Sequence, residues 1–372
     1  MRIFCFILLL VTLAWTNGYA QVPREITRGL LEDYSREIFD QNAEGFMSPL
    51  VIVANVGAND AFYNSAYVPR ENALYFDVSV RSMTAFVLEE ERTFTAILPL
   101  EQKNYKDATP EEQLRGFYLN TFKSLLQDAA EEGELETEVV TATVFGGEGK
   151  GFVIPKEYLQ ENASAIIDSA VLAGLPSQLA LTPGTNQDMV IAAVPQITVG
   201  SYYSSELLVR YIPPVVFDEN IGKFSFFGIA VKHGFTNWLD DPPFDAAVQV
   251  GFQHSSITNE VGVTRAKLEA DTDLFAVNLH ASRRFGWIEP YAGFSFETLN
   301  SEGSYTFTLP QNIKDEIGYD INPQTVPVTL SDNAVKGTLG VTAYLGPMQV
   351  FASAGIAKHM IFSGGLGYRF SP

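Results

Sequence analysis

The sequence predicts an all-β fold: a transmembrane antiparallel β-barrel of about 12–14 strands, with helical and apolar inserts plugging or capping the lumen. Three observations carry this expectation. From Val194 to Phe370, nine runs alternate an apolar residue with a small or polar one, the period of two that puts each kind on its own face of a strand. The chain holds 16 Tyr, 27 Phe and 29 Gly, a composition suited to aromatic girdles and tight turns. Short connections (Arg284-Phe285-Gly286, Leu345-Gly346-Pro347) and a long polar one (Thr298 to Asn333) fall on opposite sides of the sheet.

The N-terminus supports export. Arg2, an apolar run from Ile3 to Trp15 and the small-x-small site Gly18-Tyr19-Ala20 form an expected signal peptide over residues 1–20. The run is shorter than the roughly 20 residues a membrane-spanning helix needs. The single cysteine, Cys5, falls within it, so disulfides and thiol chemistry are excluded from the processed chain. The formal charge of -20 argues against nucleic acid as a partner, because phosphate backbones are bound by clustered Lys and Arg.

Residues 21–72 read as an N-terminal helix and a plug-like segment. Ile26, Leu30, Leu31, Tyr34 and Ile38 recur at helical spacing over Gln21 to Gln41, after Pro23. Phe46 to Val56 is apolar without alternation, which fits a segment packed inside the barrel better than a first strand. The barrel is expected over 73–372. Its first strand is Leu74 to Phe86, slipping near Ser82 to Phe86, where a bulge would restore register. Glu89-Glu90-Glu91 is a charged turn, and Arg92 to Leu98 and Val139 to Phe145 are expected barrel strands.

Two inserts interrupt the pattern. Within 100–138, Thr109-Pro110-Glu111-Glu112 is a capping box, and Leu114, Phe117, Tyr118, Phe122, Leu125 and Leu126 follow at helical spacing until Gly133. The far end of this helix is acidic. Within 152–192, Ile166, Ile167, Val171, Leu172, Leu175, Leu179 and Leu181 are too apolar for a free surface loop. They are candidate contacts for an apolar ligand at the barrel interior or mouth. Gly146 to Gly151 looks like a phosphate loop, but Gly151 stands where Ser or Thr must hold the metal.

The run Pro195-Gln196-Ile197-Thr198-Val199-Gly200 leading into Glu206-Leu207-Leu208-Val209-Arg210-Tyr211-Ile212-Pro213 resembles uncharacterised outer-membrane barrel families of Bacteroidota-type bacteria. In layout alone, the chain is distantly similar to the long-chain fatty-acid transporter family. Those likenesses imply an outer-membrane barrel in contact with lipid, with small hydrophobic molecules as candidate cargo. In such barrels the terminal Phe is usually last, whereas Ser371 and Pro372 follow Phe370 here.

The polar faces of the runs supply candidate lumen-lining residues: Glu206, Arg210, Lys232, Asp245, Gln249, Asn278, His280, Glu289, Tyr291, Lys336, Tyr344 and Arg369. Cross-strand ion pairs closing the lumen are favoured over a polar permeation path. His233, His254, His280 and His359 lack metal-ligand spacing, and no cofactor is expected. His254 and Ser255 point to opposite faces, so enzymatic activity is not expected. Two functions remain: a plugged transporter of small hydrophobic molecules, and a structural or interaction barrel that meets a periplasmic partner through the acidic helix.

Overall fold

The computed structural model describes residues 24–70, 72–162, 177–179, 181–218, 222–261, 266–307, 322–358 and 360–370. The expected signal peptide and Ile166, Ile167, Val171, Leu172 and Leu175 lie outside them. The barrel consists of ten strands, all antiparallel to their neighbours: β1 (Tyr75–Phe86), β6 (Met189–Tyr202), β7 (Ser205–Asp218), β8 (Gly222–Gly234), β9 (Asp245–Val261), β10 (Ala266–Ser282), β11 (Ile288–Phe307), β12 (Gln324–Leu345), β13 (Met348–Ile356) and β14 (Met360–Phe370). It closes because β1 pairs with both β6 and β14, with Val80 opposite Pro195 on one side and Leu366 on the other.

Ten strands correct the expected 12–14. The two runs counted as additional barrel strands, β2 (Thr93–Ile97) and β3 (Glu138–Ala142), pair with each other and form a separate sheet. Alternation marks each as a strand but cannot say which sheet it joins. Phe46 to Val56 contributes no strand either, because α1 (Arg24–Asn59) continues through it as helix.

The described residues between β1 and β6 form a cap on one rim. Besides the β2–β3 pair, this cap contains α2 (Pro110–Glu131), α3 (Lys156–Asn162) and the small pair β4 (Phe152–Val153) and β5 (Gln178–Leu179). α2 starts as its sequence dictates. The Thr109 hydroxyl accepts from the Glu112 amide, the Glu112 carboxylate accepts from the Thr109 amide, and Gly133 leaves the helix at φ +83°. The Thr109 hydroxyl also donates to the Glu112 carboxylate at 2.7 Å, and this bond, with the one from the Thr109 amide, holds the Glu112 carboxyl below its ordinary range. Leu30, Tyr34 and Ile38 of α1 join Leu119, Phe122, Leu126, Phe152, Leu159 and Leu181 in the cap core. Beside it, burial raises the Asp33 carboxyl against the pull of Arg115 and Arg36.

The lower half of α1 serves a second core. Phe39, Ala43, Phe46 and Met47 pack against Ala85, Leu268, Tyr305, Val326, Val328 and Ile361, which lie at the cap ends of β1, β10, β11, β12 and β14. A helix flanked by two cores on different faces has no single apolar stripe, which is why the sequence pattern faded after Ile38.

Polarity reverses partway along the longer strands. In β12 the outward side chains Val335, Leu339, Val341 and Leu345 are apolar, while the inward ones include Lys336, Thr338 and Thr342. Nearer the cap the assignment exchanges: Thr325, Thr329, Ser331 and Asn333 face out, and Val326 and Val328 face in. β10 changes between Phe275, exposed outside, and Leu274, buried inside. β8 changes between Phe227 and Phe226. In β1 the expected bulge at Ser82–Phe86 is absent: the strand keeps its register while Met83 and Ala85 turn inward and Ser82 faces out. Of the loop expected over Thr298 to Asn333, Thr298–Phe307 and Gln324–Asn333 are instead the tall upper parts of β11 and β12, and 308–321 lie outside the described residues.

Candidate functional site

The site is the charged barrel interior and the chain segment running through it. After α1, residues 60–70 run without helix or strand from the cap rim to the turn rim, where β1 begins. Their route is fixed at each level by the wall. Nearest the cap, Lys336 Nζ lies 3.2 Å from Asp60 Oδ1 and 2.9 Å from Glu297 Oε1, and Ser363 bonds the other Asp60 oxygen. Below this, Arg81 Nη1 donates to the Ala61 carbonyl at 2.5 Å, and Arg210 Nη2 donates to the same oxygen at 2.6 Å. Arg210 also donates to the Asp60 carbonyl and lies 4.1 Å over the Phe62 ring.

Midway, Asn64 donates to Gln349 Oε1 at 2.8 Å, accepts from Arg81 at 3.0 Å, and offers its carbonyl to Thr342. Ser65 donates to Glu289 Oε1 at 2.5 Å, and its carbonyl accepts from Lys232 at 3.2 Å. At the turn rim, the carbonyls of Val68 and Pro69 accept from Asn237 and Ser201. Backbone groups that would be orphaned inside a bore are thereby satisfied by side chains of the wall.

All twelve predicted lumen residues face inward. Glu206 pairs with Lys232 at 2.6 Å directly across β7 and β8, and bonds the Tyr75 hydroxyl. Arg210 Nε donates to Gln196 Oε1 at 2.9 Å. Glu289 accepts from Ser282 and from Tyr344, the latter at 2.7 Å. His280 stacks on Tyr63 at 4.0 Å, with Tyr291 edge-on at 6.0 Å. Gln249 and Asn278 are buried, and among the described residues both polar atoms of the Gln249 side chain lack a partner. Asp245 and Arg369 lie toward the turn rim, half-buried, with Arg369 3.4 Å from Asp77.

Sequence reasoning missed Asp60, Asn64, Asp77, Arg81, Gln196 and Gln349 as members of this network. Asp77 and Arg81 carried a usable signal, since they alternate with Phe76, Val78 and Val80. Asp60 and Asn64 carried none beyond being polar next to an apolar run. The two described residues of the apolar insert, Leu179 and Leu181, are in or against the cap core, not on the lumen wall. Leu181 borders a cavity of about 20 Å³ with Phe39, Phe46, Phe94 and Tyr305. Among the described residues no group of three His, Cys, Asp or Glu could hold a metal ion.

The bore is therefore an ion-paired interior in which Lys336 meets Asp60 and Glu297, Lys232 meets Glu206 and Arg369 meets Asp77, while Arg81 and Arg210 hold the carbonyls of the threaded segment. The chain belongs to a family of unknown function (DUF6588), matched over residues 1–370. None of the curated proteins matches it. Among solved structures it is similar to the outer membrane protease OmpT of Escherichia coli, at 9% identity and TM-score 0.37, covering 82% of this chain and 98% of that one. It is also similar to Ail, the attachment invasion locus protein of Yersinia pestis, at 15% identity and TM-score 0.24, covering 45% and 93%. The outer membrane protein opdK of Pseudomonas aeruginosa follows at 10% identity and TM-score 0.12, covering 80% and 99%. Scores this low carry no functional argument.

Proposed function

We propose that the protein crosses the outer membrane as a barrel closed along its own bore, and holds its folded cap outside the cell as an interaction surface. The observation that supports this most is the reversal of polarity along the strands. Below the reversal the outer wall is a continuous apolar band, including Phe294, Leu339, Phe362 and Leu366. Such a band is far larger than the few hundred Å² that water-soluble proteins usually expose. Above it the same strands have a water-facing exterior. A bilayer edge at the reversal accounts for both halves, and lipid is then the first partner.

Barrels of this kind keep short turns in the periplasm. With the Gly346-Pro347 turn there, the cap and its acidic α2 face outward, and a partner of α2 would be met outside the cell, not in the periplasm. The clamps on residues 60–65 support a closed bore. The protein is read as non-enzymatic. Ser205 Oγ lies 2.9 Å from His233 Nδ1, but the Ser205 hydroxyl donates its proton to Tyr203 O, so His233 is not placed as its base. His254 pairs with Asp273.

Transport of small hydrophobic molecules is the second reading, favoured by the apolar cavity between α1, the cap and the barrel. At about 20 Å³ it would have to enlarge by movement of the cap before taking cargo. The display reading is tested by labelling whole cells with a membrane-impermeant maleimide, with Cys5 expected to leave with the signal peptide. Lys106→Cys should label in intact cells and Gly346→Cys only after permeabilisation. The reverse pattern would sink the proposed orientation, and equal labelling of both would sink membrane insertion.

A further inference from the structure

We propose that the turn-side rim carries a binding site for a phosphate oxyanion, built from Arg284 and Arg369. Both line a cavity of about 470 Å³ beside the β12–β13 turn, together with Tyr344, Gln349, Tyr368 and Phe370. Its size is within the range of roughly 300–1,000 Å³ common for small-molecule pockets. In a chain of net charge -20, no acidic side chain among the described residues lines it.

The two arginines are held in place yet incompletely used. Arg284 lies 4.1 Å over the Tyr344 ring, and its Nε donates to the Gly286 carbonyl at 3.0 Å. Arg369 lies 4.4 Å over the Tyr75 ring, with only a loose 3.4 Å contact from Nη2 to Asp77. A guanidinium has five N–H donors in a fixed fork, so each keeps donors available for a ligand. Stacking on a ring fixes the plane of the fork before anything binds. The neighbouring polar groups are already engaged: Tyr344 donates to Glu289, and Gln349 bonds Asn64 and Asp77. The cations deeper in the bore differ in the same way, because Arg81, Arg210, Lys232 and Lys336 are bound to the threaded segment or to carboxylates.

Two arginine forks in a wall whose described side chains include no carboxylate match the geometry and charge of a phosphate. The location names two sources for it. Tyr368 and Phe370, exposed on the outer wall and 4.6 Å apart, place the cavity mouth at the edge of the apolar band. On the membrane-crossing reading, on which this choice of source rests, that edge is where a phospholipid presents its phosphodiester. Free phosphate has the same chemistry and could reach the cavity from the periplasm.

The test uses the full barrel in zwitterionic detergent, with phosphatidylglycerol or inorganic phosphate added and retention read by native mass spectrometry. Wild type should retain one phosphatidylglycerol. Arg284→Gln with Arg369→Gln should weaken retention by about tenfold or more, since charge-assisted hydrogen bonds are lost. Arg284→Lys, which keeps the charge without the fork, should be intermediate. Folding of each variant is checked by the gel shift on heating. Displacement of the lipid by millimolar inorganic phosphate would assign the site to free phosphate, and resistance to it would assign the site to lipid. Retention of neither probe by wild type, or equal retention by the folded double variant, would overturn the site. Insertion of the same wild-type sample into vesicles is scored separately. Failure there would sink the membrane-crossing reading, while insertion without retention would sink only the site.

Discussion

Replacing Leu339 by Lys should destabilise the barrel strongly, whereas replacing Thr329 by Lys on the same strand should be nearly neutral. Both side chains are on the outer face of β12, ten residues apart and on opposite sides of the polarity reversal. The apolar stretch runs from Val335 to Leu345. At about 3.3 Å per residue and a tilt near 40°, it spans about 25 Å, the height of the apolar band in outer-membrane barrels. Leu339 then sits near the bilayer midplane, where a lysine on the lipid face costs about 2–4 kcal/mol. Thr329 sits about 15 Å above the band, beside Glu302 on β11. A surface change there should stay within about 0.5 kcal/mol. Urea titrations of the barrel refolded in phosphatidylcholine vesicles, fitted with a shared slope, would measure both. Equal costs at the two sites, or a larger cost at Thr329, would refute a bilayer edge at the reversal.

Other consequences follow from the interior, the seam and the cap. Lys336→Met leaves Asp60 and Glu297 buried without their cation, and should cost about 3–5 kcal/mol in the same titration. Adding Asp60→Asn and Glu297→Gln should recover most of that loss, and no recovery would mean the three do not act as a unit. At the β1–β14 seam, a Cβ on Gly365 would stand 2.5 Å from the Val80 carbonyl oxygen, whereas one on Gly364 would meet nothing closer than 3.3 Å. Gly365→Ala should therefore lower the yield of heat-shiftable folded barrel by a cost of about 1–3 kcal/mol, with Gly364→Ala milder. Glu112 has a depressed carboxyl pKa in the capped helix, so its contribution is present above the ordinary glutamate value and lost as pH falls through the depressed one. Circular dichroism of a peptide covering 103–138 should show Glu112→Gln less helical than wild type at neutral pH and equal to it in strong acid. A difference that persists in acid would contradict the cap as its cause.

Much of the wall was legible because alternation reports faces directly. Phe76, Val78 and Val80 against Asp77, Ser79 and Arg81 define β1 as well from the sequence as from the structure. The upper barrel departs from its sequence pattern for one physical reason. A rule that puts apolar side chains outside holds only where lipid is the solvent, and at Asn333, Phe275 and Ser82 the solvent changes. The pattern then inverts without losing its period, and an inverted pattern reads from sequence as a bulge in β1 and as loop at the upper ends of β11 and β12. β2 and β3 were recognisable as strands, but five residues each carry no information about their partner. Residues 60–70 have neither helix nor strand period, so nothing local announced that Asp60, Asn64 and Ser65 would satisfy the charges of the wall. The inward positions were legible residue by residue, while the segment that meets them was not.

Planar-bilayer conductance of purified barrel, wild type beside a variant lacking residues 24–66, tests the self-closed bore most directly. The account predicts a silent wild type and steady conductance steps from the deletion variant, whose polar wall around Arg81, Arg210, Lys232 and Lys336 would then be open to water. Open-pore steps from wild type, or silence from a deletion variant that is folded and inserted, would contradict it.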